Sequence, residues 1–209
     1  MHERSTPIVA SLRRIATLVL CLALAGCGAE HVRAPDAEIA RVRWRAEGPP
    51  TITLVTVVST RSGSGEHAAL LVNGSQRALF DPAGSFRVPF VPERDDVLYG
   101  ITERAWTVYV DYHARPTYDV RLQEIAVTPA QAEAALAAMA AHGPAAKATC
   151  NRAVTEVLAA VPGFEDVPRG WFPSTTAGWF AALPGVTERV VTDADADDSH
   201  GVVFTAPAR

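Results

Sequence analysis

The sequence predicts an α+β fold, a small antiparallel sheet packed with helices, and three observations lead there. The run TITLVTVVS at 51–59 is dense in β-branched residues, as strands are. Asn73-Gly74 separates two short apolar segments, a strong short-range hairpin signal. Two helix starts, Thr128-Pro129 and Thr149-Cys150, follow in the second half.

Residues 51–59 are the first strand, 61–65 a flexible turn, 67–72 the second strand and 76–81 the third. Asp81-Pro82-Ala83-Gly84 closes this meander, and the proline-studded stretch to Asp96 reads as a surface loop. Thr102 can cap a helix over 102–113, whereas Trp106 to Tyr112 alternates as a strand does; the helix is favoured. The stretch 118–127 reads as a strand with Val120, Leu122 and Ile125 inward. Thr128 caps an alanine-rich helix to about Ala141, stopped by His142-Gly143-Pro144. Thr149 caps the next, with Ala153, Val154, Val157, Leu158 and Val161 at helical spacing, and Ser174 caps a short last helix with Trp179 and Phe180. The stretch 51–191 suits one domain with one core. Residues 192–209 read as an acidic flexible tail that lacks the glycine and distal glutamate of a calcium loop.

The amino end carries an export pattern. Arg13-Arg14 precedes an apolar run from Ile15 to Ala25, within the roughly 7–15 residues of a signal h-region and short of the roughly 20 of a spanning helix. Leu24-Ala25-Gly26-Cys27 resembles the lipobox of bacterial lipoproteins. The resemblance implies that residues 1–26 are removed and that Cys27 is lipidated, with membrane lipid as its partner. It implies a place in the bacterial cell envelope, and Gly28, in place of a retention aspartate, favours the outer membrane facing the periplasm. Residues 27–50, ending in Gly48-Pro49-Pro50, read as a tether, with Ala37 to Trp44 able to form a short helix. The first 26 residues carry three arginines and one glutamate, so their removal takes the formal charge from −4 to −6, and nucleic acid is not an expected partner.

Cys150 is then the sole cysteine of the folded part. A helix amino terminus and a nearby imidazole are the usual means of lowering a thiol pKa, and Cys150 opens a helix. His67 begins a strand after a glycine-rich turn, and the Asn73-Gly74 hairpin places Asp81 opposite it on the neighbouring strand. A carboxylate there orients the ring and stabilises it as imidazolium. Each residue also has a plainer reading: Cys150 as core, His67 as a hairpin cap, Asp81 as a turn residue before Pro82. His113, in the last turn of its helix, reads as a favourably charged structural residue. No two of the domain histidines share metal-ligand spacing, so no metal is expected, and no cofactor.

The order of His67-Ala-Ala-Leu-Leu on a strand, a polar residue across the hairpin and Thr149-Cys150-Asn151-Arg152 on a later helix resembles the circularly permuted papain-like hydrolases of the NlpC type, with lecithin retinol acyltransferase among their relatives. The chain departs from that pattern in having Ala68-Ala69 where glycine often follows the histidine, and aspartate where a second histidine is found. The resemblance implies a permuted papain-like domain with Cys150 as nucleophile, His67 as base and Asp81 as orienter. It leaves the oxyanion donor to the backbone N–H of Cys150, with Tyr99 or Tyr112 as candidates beside it. The implied activity is hydrolysis of an envelope amide or ester, with peptidoglycan peptide suggested by family and location. A lipid-directed acyltransferase or thioesterase, and a catalytically silent lipoprotein that binds or braces, are the alternatives.

Overall fold

A computed structural model describes residues 31–193. These residues form a seven-stranded antiparallel sheet and five helices, a mixed α+β architecture. The strands are β1 (Thr51–Ser59), β2 (Gly65–Asn73), β3 (Arg77–Phe80), β4 (Glu93–Arg94), β5 (Val97–Tyr99), β6 (Tyr118–Ala126) and β7 (Thr187–Val191), in the order β4-β5-β3-β2-β1-β6-β7. The helices are α1 (Asp36–Arg41), α2 (Glu103–His113), α3 (Pro129–His142), α4 (Cys150–Leu158) and α5 (Pro173–Ala181). None of the described helices is long and apolar enough to cross a membrane.

The two-residue period of the strands divides the core into two layers. Ile52, Leu54, Leu70, Val72 and Phe80 face one side, against Leu136 and Met139 of α3, Val154, Val157 and Leu158 of α4, and Phe180 of α5. Val55, Ala69, Leu71, Leu79, Val120 and Leu122 face the other, against Trp106, Tyr109 and Val110 of α2. The sheet is therefore buried on both faces, which is why β1 reads as a nearly continuous apolar run. Ile125 packs on the α3–α4 side, opposite to Val120 and Leu122, so the expected common inward face of β6 splits in two.

The helix reading of 102–113 holds, with the Thr102 hydroxyl accepting from Ala105 N–H. Thr128 caps α3 in a capping box with Gln131. Two expected caps differ. The Thr149 hydroxyl donates to Ala146 O instead of capping α4, and Ser174 lies inside α5, where its hydroxyl accepts from Gly65 N–H at 2.9 Å. The stretch expected as a surface loop buries Phe86, Val88 and Val91 against the α2 layer and ends in β4, with β5 following. The stretch expected as a tether is docked from Val32 to Ala46: Ala34 N–H donates to Glu93 O, Asp95 N–H to Val32 O, Arg77 N–H to Trp44 O, and Asn73 holds Ala46. Exposed backbone at the β4 edge pairs with this segment, a cover such edges commonly acquire. The signal stretch, Cys27 and the tail beyond Asp193 lie outside the described residues.

Strand polarity gathers the chemistry at one end of the sheet. β1 ends there at Ser59, β2 and β6 begin there at Gly65 and Tyr118, β3 ends at Phe80, and the β4–β5 turn at Asp95-Asp96 closes it.

Candidate active site

Backbone register sets the geometry first. Leu70 pairs with Phe80, so Asp81 follows opposite Ala69, and His67 stands two residues further along β2 on the same face. The two side chains are diagonal neighbours, not direct opposites as the hairpin spacing implied, and diagonal pairs remain within reach of long side chains. Glu66 is the extra residue of a β-bulge, since Val57 pairs with His67 and Val58 with Gly65. Such a bulge re-aims the side chains beside it.

The result is a chain of polar groups. His67 Nε2–H donates to Asp81 Oδ1 at 2.7 Å, and the Tyr109 hydroxyl of α2 donates to the same oxygen at 2.8 Å. The Asp81 carboxylate is nearly sealed, at 4% exposure against 18% for His67. Asp81 N–H is held by Asp96 O at 2.9 Å, and Gly84 N–H closes the turn on Asp81 O. A Cβ on Gly84 would stand 1.9 Å from Asp81 Oδ2, so this turn requires a residue without one. Gly84→Ala is expected to push the carboxylate off His67 and lower the midpoint of urea unfolding, by about 1–3 kcal/mol of overpacking, with slower thiol alkylation alongside.

With Nε2 engaged by Asp81, Nδ1 is the ring nitrogen left for the thiol. Cys150 is partly exposed at the start of α4, and the groups that act on its thiol are the His67 side chain and the backbone N–H groups of Ala68 and Asn151. Burial pushes the thiol up, but these donors and the charge of His67 outweigh it and hold its pKa below the usual 9.0. Burial likewise pushes His67 down, but Asp81, followed by Cys150, raises it from 6.5 to about 10. Burial also raises Asp81, and His67 and Tyr109 more than reverse that, leaving the carboxyl below its usual range. The favoured state is therefore a thiolate–imidazolium pair with an ionised carboxylate behind it.

A second buried carboxylate positions the loop before Cys150. Asp96 accepts from Ala145 N–H at 2.7 Å and Ala83 N–H at 3.0 Å, tying the approach to α4 to the turn after Asp81. Asn151 donates to Gly170 O at 2.9 Å and fixes the segment before α5 against the start of α4.

His113 is where the sequence reading needs correction. It was expected to be charged at a helix end, yet burial lowers its pKa from 6.5 to about 4 despite the pull of Asp81. Its Nδ1–H donates to Tyr109 O at 2.9 Å, and its ring lies parallel to His67, with centroids 5.7 Å apart. His67, Asp81 and His113 bring one potential metal-ligating atom each within 4.8 Å of one another. Spacing along the chain concealed that donor set because the histidines come from β2 and α2. Within that set, His67 and Asp81 are already hydrogen-bonded to each other.

The sign of the His113 shift fixes an acid limb of stability. Between about pH 6.5 and 4 the unfolded chain binds a proton that the folded His113 does not, so stability falls as pH falls, by about 3 kcal/mol at most. At the alkaline side, the His67 contribution is complete below 6.5 and lost as pH rises through about 10. Cys150, held below its ordinary 9.0, gains with pH up to that value and offsets part of this loss. Urea midpoints across this range are expected to show both limbs, and His113→Phe is expected to flatten the acid one.

Beside the ring of His67 lies a cleft of about 400 Å³, lined by Val57, Glu66, His67, Ser85, Tyr112, His113, Arg115 and Tyr118. Of the two tyrosines considered as oxyanion donors, Tyr112 lines this cleft and shares a hydrogen bond with Ser85 Oγ. Tyr99 is buried in the α3–α4 layer, at the end of β5 away from Asp81, and takes no part. The backbone N–H of Cys150, in the first turn of α4, remains the natural donor. Tyr109, whose hydroxyl reaches Asp81 from α2, escaped the sequence reading altogether.

No family model, curated protein or solved structure matches the chain.

Proposed function

We propose that this chain is a lipid-anchored envelope thiol hydrolase of permuted papain-like, NlpC-type plan, acting on an amide or ester. The observation that carries the reading is the His67–Asp81 hydrogen bond at 2.7 Å, together with the mutual influence of His67 and Cys150 that lowers the thiol and raises the imidazole. Three groups from α4, β2 and the end of β3 meet in the order nucleophile, base and orienter, an arrangement recognised by geometry and not by chain position.

The chemistry balances within these groups. The Cys150 thiolate attacks the carbonyl carbon, a C–S bond forms, and the negative charge moves to the carbonyl oxygen. His67 gives its proton to the departing nitrogen or oxygen as the scissile bond breaks, leaving an acyl-thioester and a neutral imidazole. Water then loses a proton to His67 as it attacks the thioester, and the Cys150 thiolate departs beside the renewed imidazolium. Asp81 stays ionised throughout, fixing the ring by its Nε2–H.

A silent binding module is the rival, and one observation favours it: Cys150 is absent from the lining of the cleft at His67. An activated aryl ester offered to protein lacking residues 1–27 separates the two. The hydrolase reading expects a mass increase equal to the acyl group on Cys150 and a burst of aryl alcohol, both absent in Cys150→Ser. An unmodified Cys150 with turnover no faster than the variant's supports the silent module.

A further inference from the structure

The docking of the amino-terminal segment changes what the lipid anchor can do. Were residues 27–50 a free tether, an extended chain of about 3.4 Å per residue would let the domain stand some 80 Å from the bilayer. Val32 to Ala34 are instead fastened to the β4 edge, with Trp44 and Ala46 held by Arg77 and Asn73; Val32 O accepts from Asp95 N–H at 2.8 Å, and His31 and Arg33 are both on the Asp95 carboxylate. Between Cys27 and His31 the chain spans at most about 14 Å.

The direction in which that segment leaves is equally definite. Asp95 is the turn residue beside Asp96, whose backbone holds Asp81 and whose side chain holds Ala145 ahead of α4. The anchor thus emerges at the end of the sheet that carries Cys150 and His67.

The same end bears exposed aromatic side chains. Trp171 is 55% and Phe172 73% exposed, and Tyr118, at the cleft mouth, is 38% exposed. The first two are rigidly placed: Asn151 holds Gly170, Ser174 accepts from Gly65 N–H, and the Arg152 guanidinium stacks over Trp171 at 5.9 Å. Tryptophan and other aromatic rings favour the headgroup layer, where an apolar body and a polar edge are both satisfied. Large aromatics exposed side by side mark a contact surface.

We infer that the strand end bearing Cys150 and His67 rests on the bilayer that holds Cys27, with Trp171, Phe172 and Tyr118 in its headgroup layer, so that the substrate is a carbonyl compound embedded in or lying on that membrane. The docking rests on lipidation of Cys27, and the substrate class rests additionally on the hydrolase reading.

Lipidated protein beginning at Cys27, in vesicles of phosphatidylethanolamine and phosphatidylglycerol, tests both parts. Tryptophan emission is expected to drop when the acyl chains are brominated near the headgroup, and Trp171→Phe is expected to remove most of that drop, because Trp106 is buried and Trp44 and Trp179 are only partly exposed. Equal emission in the two vesicles, an equal drop in the variant, or protein that does not remain with the vesicles overturns the docking. Alkylation of Cys150 in the same vesicles reads the hydrolase separately. Rapid alkylation without quenching discards the docking alone, whereas quenching with a sluggish thiol discards the substrate class. A water-soluble ester cleaved as fast as the same ester carried on a vesicle lipid also overturns the substrate class.

Discussion

Replacing His67 by alanine is expected to slow alkylation of Cys150 at about pH 6 by tenfold or more. The estimate follows from two opposing effects. A free thiol of pKa about 8.5 is only about 0.3% thiolate at that pH, so each unit by which His67 lowers the thiol brings about tenfold more reactive species until it is mostly ionised. A lower pKa also makes the sulfur a weaker nucleophile, by a Brønsted slope of about 0.4–0.5, which returns roughly half of each such order of magnitude. His67 is the largest favourable influence on the Cys150 thiol, ahead of the Ala68 and Asn151 N–H groups, so its loss should leave a thiol dominated by burial. His113→Phe is the control, since His113 bonds to Tyr109 O and stacks on His67 without being among the groups that lower the thiol. The measurement is the rate of adduct formation by mass, with unchanged far-ultraviolet circular dichroism to show that the fold persists.

The second large effect is on stability. Asp81→Ala is expected to cost about 3–5 kcal/mol at neutral pH, the penalty for removing one partner of a buried ion pair. The carboxylate is 4% exposed and receives both the His67 N–H and the Tyr109 O–H on a single oxygen, so its loss strands two donors. Tyr109→Phe leaves the ion pair in place and is expected to cost about 1.5–3 kcal/mol, the range for a hydrogen bond to a charged group. Urea unfolding at pH 7 ranks the two. An Asp81→Ala protein as stable as the parent would show that His67 is satisfied elsewhere, and the acid–base chain would lose its anchor.

The sequence carried this site unevenly, and the reasons are physical. Cys150 was legible because a threonine before a helical repeat of apolar residues marks a helix start, even though Thr149 turns out to bond backward to Ala146. His67 and Asp81 were legible because a two-residue hairpin signal fixes strand pairing to within a residue or two; the uncertainty of that register is the difference between opposite and diagonal neighbours. Tyr109 and His113 became site residues only through the way α2 crosses the sheet, which no local pattern encodes. β4 and β5, two and three residues long, fall below the length at which alternation can be read, and β7 carries Glu188 and Arg189 on an exposed edge where no apolar period is needed. The docked segment 32–46 escaped because its polar composition resembles a linker, and what holds it is distant in sequence: backbone pairing of Val32 to Ala34 with β4 and its turn, and the bonds of Trp44 and Ala46 to Arg77 and Asn73.

The central claim is that the Cys150 thiol is ionised by His67 at a pH where free cysteine is not. Protein lacking residues 1–27 retains Cys150 as its single thiol, so the ultraviolet absorbance of the thiolate, followed from acid to alkaline pH as the difference from Cys150→Ser, which cancels the tyrosines, titrates that group. A single step well below about 8.5, moving upward in His67→Ala, is the predicted result. A step at or above that value, unchanged by the substitution, would contradict the account and leave Cys150 an ordinary, partly buried cysteine.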